Sequence, residues 1–168
     1  MKKVVFITAP QTFRDEEYFK PKQILEDAGI QVITASLKIG QLKGKLGQNT
    51  ESSLLVKDIK CSDFDAIVFV GGGGASAYFD NENALRLARE FFQAKKITAS
   101  ICIAGIVLAN AGILKGKKAT VYIDGKDDLI KGGAQFSGNS VEIDGNIITA
   151  NGPDAAQEFG KAVLRGLK

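Results

Sequence analysis

A chain of 168 residues, 45% of them hydrophobic, has the length and apolar content of a single globular domain spanning residues 1–168. Its 22 lysines and arginines against 19 aspartates and glutamates leave a formal charge of +3, with the lysines spread along the chain. No basic run is present, so neither nucleic acid nor a membrane surface is expected as a partner.

The chain contains no histidine, and its two cysteines, Cys61 and Cys102, stand far apart without metal-ligand spacing. A zinc site is therefore not expected, and no metal or cofactor is predicted. The apolar run Val4 to Ala9 breaks at Pro10, which is too short for a signal core or a bilayer span. A reduced, soluble, cytoplasmic protein is the expectation.

Taken in order, Val4 to Ala9 reads as a strand buried on both faces. Arg14 to Ala28 reads as a helix, with Asp15, Glu16 and Glu17 at its positive end and Gly29 as a stop. Pro21 lies inside it and predicts a kink or a late start. Gln31 to Ala35 is a second strand. Lys38 to Thr50 places Gly40, Gly44 and Gly47 among lysines, as in a loop or small irregular hairpin, and Leu54 to Val56 follows as a short strand. Ala66 to Val70 is a buried strand that runs into Gly71-Gly72-Gly73-Gly74.

Asn81 can cap a helix with Leu85, Ala88, Phe91 and Phe92 on one face. Ile97 to Ile101 is a strand, followed by Cys102 and a helix ending near Gly112. Ala119 to Ile123 reads as a strand, Val141 to Thr149 as a hairpin about an Asp144-Gly145 turn, and Asp154 to Leu167 as a docking helix. Its apolar face is Ala155, Ala156, Phe159, Ala162 and Val163. This alternation predicts an α/β fold, a doubly wound, flavodoxin-like three-layer sandwich. The central sheet is expected to be mainly parallel, with a small C-terminal β-hairpin.

Three places fall at the carboxyl ends of strands, where open α/β sheets carry their sites. Cys102 meets the first N–H groups of a helix, which favour a thiolate; the alternative is an inert small hydrophobe at the start of a buried helix. The amides of Gly71 to Gly74 could cradle an anion or oxyanion, or simply form a tight turn. Neither phosphate motif fits them, because Gly74 is followed by Ala75-Ser76-Ala77 and the first βα turn holds Pro10-Gln11-Thr12. Glu17 alone is a helix-start carboxylate. Beside a thiol it would titrate as one member of a coupled pair, in which a protonated carboxyl donates to a thiolate. Cys61 is assigned no role.

Several segments together resemble the ThiJ/PfpI family, within the class I glutamine amidotransferase-like superfamily. They are Phe13-Arg14-Asp15-Glu16-Glu17-Tyr18 with Pro21, and Asp63-Phe64-Asp65-Ala66 leading into Val70-Gly71-Gly72-Gly73. Ala99 to Gly105, and Asp127-Asp128-Leu129-Ile130 through Asp144-Gly145-Asn146 to Gly152-Pro153, continue the match. The resemblance implies a nucleophilic or redox-sensitive Cys102 and a glutamate partner at Glu17. It also implies an oxyanion pocket at Gly72, Gly73 and Ile103, a proline at Pro21, and a homodimer or larger assembly.

Two positions depart from the family. Ile103 stands where the peptidase-like branch carries histidine, and Tyr122 occupies the place of the deglycase-like branch's histidine. A phenol with a pKa near 10 is a poor base at neutral pH. A cysteine enzyme acting on a small reactive carbonyl, of glyoxalase or deglycase type, is therefore the first expectation. The second is a non-catalytic sensor of small oxidants, and an intracellular peptidase comes last because cysteine peptidases rely on an imidazole.

Overall fold

In the computed structural model, which describes residues 1–168, Val4 to Ile7 of strand β1 (Lys3–Ile7) are entirely removed from solvent. A run without polar alternation needs cover on both faces, and a central position in a sheet provides it. The chain then forms β2 (Gln11–Phe13), α1 (Asp15–Asp27), β3 (Gln31–Ser36), β4 (Gly40–Gly44), β5 (Asn49–Ser52) and β6 (Leu54–Leu55). Next come β7 (Ala66–Phe69), α2 (Glu82–Gln93), β8 (Ile97–Ile101), α3 (Gly105–Asn110), β9 (Lys118–Ala119) and α4 (Lys126–Lys131). The last elements are β10 (Gln135–Phe136), β11 (Val141–Asp144), β12 (Ile147–Ala150) and α5 (Ala156–Leu167).

The seven-stranded sheet has the order β11-β12-β8-β7-β1-β3-β6, and only β11 runs antiparallel to its neighbour. One face carries α1 and α5, which bring Tyr18, Leu25, Phe159 and Val163 onto Val4, Phe6 and Val68. The other carries Leu87 and Phe91 of α2, Val107 of α3 and Leu129 of α4, over Val5, Ile7, Ile67 and Phe69. The expected three-layer sandwich is thus present. No helix is long and apolar enough to cross a membrane.

Four local expectations change. The C-terminal hairpin is not an appendage: β12 pairs in parallel with β8 and extends the main sheet. Its turn is Gly145-Asn146, with Gly145 at φ 61°. Of the expected strand Ala119 to Ile123 only Ala119 is extended, as the second residue of β9, paired with β10 outside the main sheet, because β12 occupies the place beside β8. The buried face of α2 is Ala84, Leu87, Ala88 and Phe91, with Leu85 and Phe92 only partly covered, although Asn81 does cap it by accepting from the Ala84 N–H at 3.0 Å. The helix after Cys102 opens as a 3₁₀ turn, Cys102–Ala104, and α3 itself is only six residues long.

Pro21 neither delays nor ends α1, which runs continuously through it. Its missing N–H removes the donor that would bond the carbonyl of Glu17 one turn earlier. The ring is buried against α5, where a Cβ on Gly160 would lie 2.8 Å from Pro21 Cα. Gly160→Val is therefore expected to lower stability by about 1–3 kcal/mol, the usual cost of overpacking. Unchanged urea denaturation would show that the two helices separate freely.

Candidate active site

Cys102 follows directly on β8 and has φ +60°, a left-handed conformation that few side chains adopt. Holding it there costs roughly 1–2 kcal/mol, so the neighbouring chain must impose it. The strand fixes Ile101 on one side. On the other, Gly105 packs so closely that a Cβ there would lie 3.0 Å from Val121 Cγ2. The result is a sharp elbow that turns the thiol, whose residue is 9% exposed, into a cleft of about 420 Å³.

Glu17 arrives in the same cleft from the first turn of α1 and exposes none of its surface. The start of that helix is tied to the glycine turn, since the Arg14 N–H donates to the Gly71 carbonyl at 3.0 Å and Phe13 bridges Gly72. Gly71 is the meeting point. A Cβ on it would strike Glu17 Oε2 and come within 2.6 Å of Cys102 Cβ. The missing side chain is what allows carboxyl and thiol to face one another.

The electrostatics follow from that burial. Neither oxygen of Glu17 closes an aligned hydrogen bond, although the Cys102 thiol and the Gly71 amide lie near enough to favour the carboxylate. Desolvation outweighs both and pushes the Glu17 carboxyl up to about 7. Burial also pushes the Cys102 thiol up, to about 12, and the charge of Glu17 adds to the shift. The amides of Ile103 and Gly72 work in the opposite direction and lose. Burial thus opposes the lowering of the thiol that a helix start favours, and a six-residue helix brings little dipole into a dry site. The two acids face each other closely enough to titrate as a coupled pair.

Gly72, Gly73, Ile103 and Tyr122 all line the cleft. The amides facing the sulfur belong to Ile103 and Gly72, while Gly73 opens the following 3₁₀ turn. Tyr122 is 42% exposed on the rim, and its N–H donates to the Cys102 carbonyl at 3.4 Å. Cys61 lies outside the cleft. Sequence reasoning missed Arg14, Lys45, Ser76 and Asp124, which also line it. Arg14 was readable as a neighbour of Glu17; the others reach the site through turns whose shapes no local pattern encodes.

A parallel α/β sheet whose central strand ends in a positive-φ cysteine, faced by a glutamate from the first helix, defines a protein of the nucleophile-elbow class. The DJ-1/PfpI family pattern matches residues 2–166, and the chain belongs to that family. Deglycase PfpI of Pyrococcus furiosus is 34% identical over 166 residues, covering 99% of each chain. The putative cysteine protease YraA of Bacillus subtilis is 31% identical over 169 residues, covering 100% of each. A ThiJ/PfpI domain protein from Brachyspira murdochii superimposes with a TM-score of 0.96 at 36% identity, over 98% of this chain and 95% of that one.

Burial keeps a proton on Glu17, so its contribution to stability is full below the unfolded value of about 4.5 and is lost as pH rises through about 7. Glu17→Gln has no such proton to lose. Across that interval it is expected to gain on wild type by as much as about 3 kcal/mol in urea denaturation. A gap independent of pH would contradict the raised carboxyl.

Proposed function

We propose that this chain is a cysteine-dependent enzyme acting on reactive carbonyls, of glyoxalase or deglycase type. The supporting observation is the buried Glu17 carboxyl facing Cys102 at the floor of the cleft, in a chain with no histidine. General acid–base catalysis works best when the group titrates near the operating pH. At about 7, Glu17 fills the role usually taken by an imidazole.

As the Cys102 sulfur attacks an aldehyde carbon, the thiol proton passes to the Glu17 carboxylate and the carbonyl oxygen takes the electron pair. The Ile103 and Gly72 amides stabilise that oxygen, and Glu17 then returns the proton to give a hemithioacetal. With a 2-oxoaldehyde, the carboxylate next removes the carbon-bound hydrogen. Reprotonation at the adjacent carbon yields a thioester, and water releases a 2-hydroxy acid and the free thiol. The sum is 2-oxoaldehyde plus water, with oxidation of one carbon matched by reduction of its neighbour.

Addition to an aldehyde has no leaving group, so a single proton carrier is enough. Peptide hydrolysis must also protonate a departing amine, which elbow enzymes do with an imidazole. The absence of histidine therefore weighs against the peptidase reading. The raised thiol likewise weighs against a sensor that depends on a standing thiolate.

Cys102→Ala is expected to abolish lactate formation from methylglyoxal. Glu17→Gln should lower kcat/KM by roughly 10²–10⁴-fold, the range for loss of a general base. Wild-type kcat/KM should rise with pH through a midpoint near 7 that the Glu17 variant lacks. Undiminished turnover by Cys102→Ala would overturn the proposal.

A further inference from the structure

The cleft holds an unpaired cation that this chemistry does not use. Lys45 lines it from the β4–β5 turn and makes no ion pair. Arg14, the other cation there, is held by both oxygens of Glu16, at 2.8 and 3.2 Å. The turn that carries Lys45 is anchored on every side. The Lys45 N–H donates to the Phe13 carbonyl at 2.8 Å, and the Gly44 N–H to the Gln48 carbonyl at 2.8 Å. The Leu46 and Gln48 N–H groups donate to the two oxygens of Asp15, at 2.8 and 2.9 Å.

Asp15 is 1% exposed and stands on α1 two residues before Glu17. It presses so close to Gly44 that a Cβ there would lie 2.6 Å from Asp15 Cγ. Burying a carboxylate beneath a surface turn is costly, and the two charge-assisted hydrogen bonds offset that cost. The arrangement locks the turn bearing Lys45 to the helix bearing Glu17.

Size points the same way. The cleft, open to solvent on one side, has a volume of about 420 Å³. Methylglyoxal, with five non-hydrogen atoms, would leave most of it empty. A longer substrate with a negative end would fill the space and meet Lys45. Asp124, also unpaired on the lining, would repel that end and leave it one favourable direction. A single free ammonium balances the single charge of one carboxylate.

Resting on the carbonyl reading, we propose that the preferred substrate is a 2-oxoaldehyde whose far end carries a carboxylate. Lys45 selects that carboxylate, and Asp15 is the positioning residue that holds the selecting turn.

The test uses two four-carbon aldehydes, 4-oxobutanoate and butanal, which differ in the terminal carboxylate and lack the second carbonyl needed for turnover. Each is titrated as a protectant of Cys102 against iodoacetamide, followed on the Cys102 peptide by mass spectrometry. In wild type, 4-oxobutanoate should half-protect at about fivefold lower concentration than butanal, the size of one exposed ion pair. The advantage should vanish in Lys45→Met and at high salt, and persist in Lys45→Arg. It should shrink in Asp15→Asn, which keeps the ammonium but frees the turn. Equal protection by both aldehydes, protection by neither, or an advantage that survives Lys45→Met would overturn the assignment. Failure of the enzymatic reading shows elsewhere, as lactate formation that does not depend on Cys102.

Discussion

The carboxyl of Glu17 is closed off from water and has no aligned hydrogen-bond donor, and ionising it in that position is expensive. Much of the surrounding architecture makes this tolerable. Gly71 leaves the space in which thiol and carboxyl meet, and the bridge from Phe13 to Gly72 fixes where α1 begins. Gly160 lets α5 close over the buried Pro21, one turn along from Glu17. The cost of ionisation then appears as a carboxyl that keeps its proton up to about 7.

On the proposed reading, this is how an elbow of the DJ-1/PfpI family would operate in a chain without histidine. Proton transfer needs a group whose two states are close in energy at working pH, and an imidazole supplies that without tuning. A glutamate reaches the same condition only by desolvation. The burial that raises Glu17 raises Cys102 as well, and so works against a standing thiolate. On the proposed reading attack and deprotonation are coupled in one step, which suits an electrophile as reactive as an aldehyde better than an amide.

Much of the frame was legible because burial writes itself into composition. The runs at β1, β7 and β8 are apolar throughout, as central parallel strands must be, and Cys102 and Glu17 follow such strands at the edge where sites form. Less visible was anything decided by pairing between distant segments. β12 reads as half of a local hairpin, and only the full sheet shows it claiming the place beside β8, which leaves Ala119 to pair with β10 and Thr120 to Ile123 outside any strand. Asp15 looks like one more acid at a helix start until the β4–β5 turn folds onto it. The desolvation of Cys102 was invisible for the same reason: position favours a thiolate, and burial, a property of the packed site, opposes it.

The claim that burial sets the chemistry can be tested directly on the group concerned. Difference infrared spectra of wild type against Glu17→Gln isolate the carboxyl stretch of Glu17 and follow its loss as pH rises. The account predicts a protonated band that persists past the ordinary glutamate value of about 4.5 and disappears with a midpoint near 7. A band already gone at the ordinary value would mean that the carboxylate is solvated, and the account would fail at its root.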